Sequence, residues 1–571
     1  MKKRFTSLYF VFTIVLSIFF GHIQAQSSKS TALQFSSNYE VAVFAAIDTG
    51  NRIISVGDFT DSAYIQNTKQ GFSGKDSFDA FIICTNEQGN IIWKDVFGAA
   101  YCTWATNVIC DKSGNYFVTG YFEKGFNLDG IQFDSTNYYN AFLIKLDHNG
   151  KVIWGVSYAV PYAYVYNTVV PQALACDAEN NLYFDMVLYS SLKIKNQVFS
   201  TNHSGQTGCL LIKFDPNGNI IWGKTMEGHY GTFSALAADE IGHLYIGGNI
   251  SNGKTTWGGV NLPDLSDTVS EGLFFAKLDA NTGDMQWIQR CTGTTSYSEL
   301  TYMNVGINGS VYAAGSFGDT LSIEGNDYYA TPHQYNGYQD GLVINFDTSG
   351  KLIWLQHYGN YYEPEYPAGF CMDQNDNVYI GGVYDAPITL GNKTLFSTKA
   401  RDCYVIRFDR YGNYKGSVST KAISSQSFTG MFGLMTDTRN NLFVTGFFDN
   451  QTNFGGDTLS CFGPSSSFIW GVASSFTTGI EPDAKESVNG FRLYPNPVNE
   501  NSLNIEIENG IIKGNLEVSC MDATGRLIFS GTLNGSNGNS FSLQLPELKQ
   551  GLYFLQLVSA NGTSVQKFIK D

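Results

Sequence analysis

The feature that most constrains this chain is a short phrase that it keeps rewriting. The run from Ala141 to Trp154, AFLIKLDHNGKVIW, returns from Cys209 to Trp222 and from Leu342 to Trp354. Looser copies end at Trp93 and Trp287, and a worn copy from Cys403 to Tyr414 has lost its Trp. Each copy reads as a strand, a tight turn and a second strand. Phe142, Ile144 and Leu146 point one way, Ala141 and Leu143 the other, so the strand is apolar on both faces and predicts a sheet packed on both sides. Asp147 followed by Gly150 predicts a type I turn, the side chain accepting a main-chain N–H and the Gly taking φ > 0.

A second strand–turn–strand unit precedes each copy. It begins at Asp48, Asp111, Asp177, Asp239, Asp373 and Asp437, with a degenerate member at Asn308 and Gly309, which makes seven. The Trp residues recur at intervals in the sixties, room for four strands. Four-stranded units with two apolar faces must stack on neighbours. Seven of them are satisfied by radial closure, so the expected fold is all-β, a seven-bladed β-propeller of four-stranded blades over residues 32–475. Closure has its own trace. Spacing makes Ser467–Ala473 the third strand of the last blade, and the extra strand Ala32–Ser37 then completes it. A competing alignment sets Phe468–Val472 against Val152–Val156 as a fourth strand.

These units resemble the bacterial propeller repeats called SBBP, through the signature Asp-x-x-Gly-Asn-x-Tyr, met at Asp111, Gly114 and Asn115, and through Asp79, Ala80 and Phe81. The copy from Asp279 to Trp287 also resembles the tryptophan-docking motif of quinoprotein dehydrogenases. The resemblance implies that Trp93, Trp154, Trp222, Trp287 and Trp354 pack between blades.

The ends of the chain read differently. Residues 1–25 carry Lys2, Lys3 and Arg4, an apolar run from Leu8 to Phe20 and a small residue, Ala25, before an expected cut, which predicts a secretory signal peptide. Residues 476–490 are polar and small, with Pro482, and predict a linker. Residues 491–571 alternate with period two and predict a small Ig-like β-sandwich. Leu493, Tyr494, Pro495, Asn496 and Pro497, then Gly525, then Gly551, Tyr553 and the terminal Lys567 to Lys570 closely resemble the type A C-terminal sorting domain of the type IX secretion system. That resemblance implies the type IX machinery as a partner and a secreted or outer-membrane-surface location on a Gram-negative bacterium.

Chemistry is sparse. The net charge of −16, without a basic cluster, argues against nucleic acid, and no segment after the leader is apolar enough to span a bilayer. Ten Cys lack any Cys-x-x-Cys pair and fall at equivalent small positions, so they are expected as buried thiols rather than bridges. The His residues lack metal-ligand spacing, and no catalytic motif, metal site or cofactor site is found. The turn carboxylates are read as caps.

The loops from each Trp strand to the next Asp unit are rich in aromatics and should share one face of the ring. Tyr101, Trp104, Tyr158, Tyr162, Tyr164, Tyr230, Tyr361, Tyr362 and Tyr366 are the candidate binding residues for glycan or another extracellular protein, with packing between blades as their alternative role. The functional expectation is therefore a non-catalytic exported binding protein. The alternative is a propeller enzyme, a hydrolase or lyase acting on polysaccharide.

Overall fold

The computed structural model describes residues 31–571 apart from 37–41, 61–63, 66–67, 70–77, 99–101, 136–139, 160–170, 189–190, 201–207, 228–230, 252–254, 263–270, 294–297, 332–338, 361–364, 391–392, 396–400, 424–426, 462–464, 473–490, 499–500, 508–513, 523–526, 536–539 and 560–561. The expected signal peptide and linker lie outside the described residues. Every described element is a strand, and no described helix is long and apolar enough to cross a membrane. The chain divides into two compact units, Met1–Thr478 and Gly479–Asp571.

The first unit contains seven antiparallel sheet cores of four strands, six of them within 42–97, 103–159, 171–227, 231–293, 299–358 and 369–419. The seventh takes three strands from 429–472 and its fourth from Thr31–Ser36, which pairs from Thr31↔Gly471 to Ser36↔Ser466. This is the arrangement that the spacing argument anticipates. The first strands run in series. Ala42–Ile47 lies against Thr103–Cys110, followed by Pro171–Cys176, Gly231–Ala238, Glu299–Val305, Gly369–Met372 and Thr429–Thr436, which returns to Ala42–Ile47.

Third strands such as Asn140–Leu146 and Gln339–Phe346 are buried at every residue. Their side chains feed hydrophobic clusters that each belong to two consecutive sheets. Val118 and Phe142 close on Ile54 and Ile82 of the first sheet, while Phe117 and Leu143 close on Phe184 and Ile212 of the third. The seventh and first sheets share such a cluster too, formed by Phe35, Met435 and Ile469 with Val43 and Phe81. Burying one such side chain is worth about 1.5–3 kcal/mol, so a sheet with two apolar faces is stable only between two neighbours.

Sheet edges are also handed on. The connection between second and third strands of a sheet forms a two-stranded arm that reaches the last strand of the preceding sheet. Thr256–Trp257 pairs with Met226 and Glu227, Thr320–Ile323 pairs with Thr292 and Gly293, and Tyr64–Ile65 pairs with Phe35 and Ser36 across the seam. An arm occupies main-chain groups that would otherwise invite pairing with another chain.

The Trp residues sit at a repeated junction. Trp93, Trp154, Trp222, Trp287 and Trp354 donate their indole N–H to the carbonyl oxygens of His148, Pro216, Ala280, Thr348 and Arg410, at 3.0–3.4 Å. Each acceptor follows the turn Asp of the next sheet. The same carbonyls take a cation. Lys145 Nζ reaches Pro216 O at 3.3 Å and Lys213 Nζ reaches Ala280 O at 3.0 Å, while the two ammonium groups pair with the buried carboxylates of Asp111 (3.1 Å) and Asp177 (3.3 Å). The first sheet has Cys84 at the Lys position, opposite its Trp, and uses Arg52 instead, bonded to Asp48 at 2.6 Å and to His148 O at 3.0 Å. In the fifth sheet, where Gly306 replaces the Asp, the Lys position holds Asn345. Charge is lost from both sites together, as the cost of an unpaired buried ion requires.

This junction also explains the turn glycines. Gly150, Gly218 and Gly350 have φ of 79–86°, and a Cβ on them would meet the indole of the preceding sheet at 2.6–3.0 Å. In the turns between first and second strands no indole intrudes, and the positive-φ slot is taken by Asn51, Asn180, Asp376 and Asn440 in four sheets and by Gly114, Gly242 and Gly309 in the other three. There the side chain works between sheets. Asp376, Asn440 and Asn51 accept the main-chain N–H of Ile307, Gln374 and Thr438 of the preceding sheet, each at 3.0 Å.

All ten cysteines are free thiols, six of them buried. The second unit consists of two sheets. One holds Phe491–Tyr494, Ser502–Ile507 and Ser540–Gln544; the other holds Leu527–Gly535, Gly514–Asp522, Gly551–Ser559 and Gly562–Lys570. They share a core that includes Leu503, Ile505, Leu555 and Phe568.

Two glycine substitutions separate backbone strain from indole contact. Gly242 has φ 95°, and a Cβ added there would have nothing within 4 Å, so Gly242→Ala should cost about 1–2 kcal/mol, from the left-handed conformation alone. Gly218→Ala faces the Trp154 ring at 2.7 Å and should cost about 1–3 kcal/mol beyond that, both measured by urea unfolding.

Candidate functional site

The binding residues expected from the sequence separate in the structure. Tyr101, Tyr162, Tyr164, Tyr230, Tyr361 and Tyr362 lie outside the described residues. Tyr158 is 1% exposed and packs against Phe184 with ring centroids 5.7 Å apart, so it fills the seam between the second and third sheets and offers no face to a ligand. That corrects the expectation for this residue: the strand Val152–Ala159 continues through it, with its side chain directed to the neighbouring sheet. Trp104 is half-buried against Phe78, at 5.6 Å. Tyr366 is 51% exposed, the most open of the expected residues that the structure describes.

Tyr366 stands above a polar cluster in the seam between the fifth and sixth sheets. The main-chain N–H of Glu365 donates to Gln339 O at 2.8 Å, and Ala368 N–H donates to Gly381 O at 2.8 Å, which fixes the segment 365–368 across both sheets. The Glu365 side chain is 1% exposed and accepts from the Asn360 amide. Around it stand Tyr358 and Tyr404, both fully buried, with rings 5.9 Å apart and perpendicular, and Tyr384 lies 5.4 Å from Tyr404. Gly341 lets the Tyr358 ring in, since a Cβ there would lie 2.3 Å from it. The carboxylate of Asp340, next along the chain, accepts from Thr331 N–H and Oγ1 at 2.9 and 3.0 Å and is bonded to His357 Nδ1 at 2.8 Å.

Burial pushes the Glu365 carboxyl well above its ordinary range; the Asn360 bond opposes this, and the Asp340 and Asp385 carboxylates reinforce it. Burial likewise raises Tyr404, with Tyr358 and Glu365 adding to it. A carboxyl held among phenols, with a second carboxylate nearby, is shifted toward its neutral form.

Of this loop the sequence points to Tyr361, Tyr362 and Tyr366, and it gives no sign that Asp340, His357 and Tyr404 join them. The available signal was the Asp that opens the third strand. Asp340 and Asp402 occupy that slot, and Asp402 accepts Ala422 N–H at 2.7 Å, so the slot anchors loops at this end of the sheets. His357, one of the residues without metal-ligand spacing, has a defined partner in Asp340.

In the second unit, Tyr494 and Lys567 are exposed, Tyr553 is buried and donates its hydroxyl to Lys549 O at 2.8 Å, and Gly551 opens the strand that pairs with Gly562–Lys570. Gly525 lies outside the described residues. Asn496 is bonded to the terminal strand: its Oδ1 accepts from Ile569 N–H at 2.9 Å and its Nδ2 donates to Lys567 O at 3.3 Å.

Residues 492–571 match the family model of the secretion system C-terminal sorting domain. The tail supports export by the type IX secretion system and a secreted or cell-surface destination. No curated protein matches the chain. Similar solved structures include a protein of unknown function from Bacteroides caccae, 8% identical, covering 58% of this chain and 94% of that one, with a TM-score of 0.28. A DUF4221 family member from Bacteroides vulgatus is 10% identical over 77% of this chain and 95% of that one, at 0.28. A protein of unknown function from Bacteroides thetaiotaomicron is 9% identical over 76% and 99%, at 0.25. At TM-scores this low the likeness supports no structural or functional conclusion.

The raised pKa of Glu365 gives a sign to the pH dependence. Its folded pKa lies above the unfolded value of about 4.3, so the stability it contributes is complete below that value and declines as pH rises toward the folded pKa. Glu365→Gln should therefore lose less stability than the parent as pH rises above about 4.3, and the difference curve from urea unfolding should rise with pH. A flat difference would mean that Glu365 is ionised in the folded protein.

Proposed function

We propose that the chain is an exported, non-catalytic binding protein. Its first unit is read as a seven-bladed β-propeller of SBBP-type repeats over residues 32–475, carried out of the cell by a detachable sorting domain at 491–571 behind a linker at 476–490 and a signal peptide at 1–25. The cyclic order of the first strands and the cluster shared by the seventh and first sheets support the ring. The five indoles act in this reading as docking groups between blades.

The ligand reading rests on Tyr366. It is an exposed aromatic whose neighbours on both sides are pinned to the sheets, so it presents a ring at little entropic cost, as recognition of a sugar face or a protein surface favours. Glycan or another extracellular protein is the ligand class, with Tyr361 and Tyr362 in the same loop as further contacts. An enzyme acting on polysaccharide through Asp340 and Glu365 is disfavoured because neither carboxyl is more than 1% exposed, and a scissile bond needs both beside it.

The test is a glycan array and a surface-protein pull-down on residues 26–475. Tyr366→Ala should lower the affinity of any captured ligand at least tenfold and leave the urea midpoint unchanged. Unaltered capture would remove this loop from the binding face, and sugar release in a parallel hydrolysis screen would replace the binding reading with the enzymatic one.

A further inference from the structure

The two ends of the sorting tail meet. The segment that follows Tyr494 lies along the outer side of the end of the terminal strand and engages its main-chain groups at residues 567, 569 and 571. Asn496 takes Ile569 N–H and Lys567 O, Val498 N–H donates to Ile569 O at 2.7 Å, and Asp571 N–H donates to Val498 O at 3.1 Å. Lys570 is 7% exposed, and its ammonium is spent on Val498 O at 3.3 Å. On its other side the strand is already paired, from Gly551↔Lys570 to Ser559↔Gly562. Over residues 567–571 the edge is thus closed to an added strand.

What remains outward is side chain. Ile569 and Leu552 face each other across the pair and are 46% and 40% exposed, Lys567 is exposed on the same face of its strand, and Tyr494 is 43% exposed. The alternate residues, Tyr553 and Phe568, are buried with their rings stacked at 5.6 Å. Two exposed aliphatics directly opposite each other, with a cation two residues away, are unneeded by the core, which has Leu555, Leu557 and Phe568 beneath them.

We propose that the export signal is read as this side-chain face rather than by strand addition, and that Asn496 is the positioning residue that holds the terminal strand for presentation. The partner is a component of the export machinery with an apolar patch flanked by acidic groups, complementary to Leu552, Ile569 and Lys567. The proposal rests on the export reading of residues 492–571.

The experiment uses the full chain in the bacterium that makes it, comparing secreted with cell-retained protein by immunoblot and probing the tail by limited proteolysis and hydrogen exchange. Deletion of 492–571 should abolish secretion; secretion of that form would overturn the export reading itself. The double variant Leu552→Ser with Ile569→Ser should reduce the secreted fraction at least tenfold with the tail still protease-resistant. Normal secretion of this variant, with the deletion retained, would overturn the side-chain face while leaving the export reading intact. Asn496→Ala should reduce secretion similarly and speed exchange of the Ile569 amide, and Asn496→Asp, which keeps the acceptor, should recover part of both. Loss of secretion only in step with loss of protease resistance would make Asn496 merely structural and overturn its positioning role.

Discussion

The series of sheets depends on a shared oxygen at five of its junctions. A turn carbonyl of one sheet receives an indole N–H from the previous sheet, and those of the third and fourth sheets also receive from it a buried ammonium tied to a buried carboxylate. Hydrophobic area supplies most of the free energy between sheets, but it is non-directional and would tolerate sliding. The carbonyl fixes the offset. A lysine withdrawn from water is tolerable only because the Asp, the carbonyl and a ring face meet it together, as Lys145 shows with Asp111, Pro216 and Phe117.

Where this junction is weakened, other groups take over. The worn copy ends in Tyr414, and the sixth-to-seventh and seventh-to-first seams are instead linked by Asn440 and Asn51 in the positive-φ slots of their turns. The last seam adds an ion pair between Arg439 and Glu87. A small amide there does two tasks, adopting the left-handed conformation and accepting from a neighbour, whereas a Gly could do only the first.

Much of the fold was legible because it is periodic. Two-faced apolar strands, the Asp-to-Gly turn spacing and the unpaired strand at the start of the chain each had a local reason that recurred, and recurrence distinguished them from chance. The tail's terminal motifs were legible one by one. The candidate site was not, because it is local to one seam. Nothing in the sequence around Asp340 says that His357, Glu365 and Tyr404 converge on it, since that depends on how two sheets face each other. The aromatic loop residues were ambiguous for the same reason: Tyr158 and Tyr366 look alike in the sequence, and only the course of the strand sends one inward and the other out. The handing on of edges between sheets, through short arms of two to four residues per strand, was invisible because such strands are too brief to show alternation.

The pairing of Thr31–Ser36 with Ser466–Gly471 makes the two ends of the first unit a single clasp. By the logarithmic law of chain closure, joining residues some 430 apart costs only about 2 kcal/mol more than joining residues 60 apart. Thermodynamically the clasp is therefore inexpensive, and six backbone pairs with the Phe35 cluster can outweigh it. Kinetically it is late, because the pairing cannot form until Ser466–Gly471 has been synthesised and has met Thr31–Ser36. Thr31–Ser36 thus acts as a latch on the seventh sheet, and trimming it would strip Ser466–Gly471 of its partner strand and open the cluster around Phe35 to water.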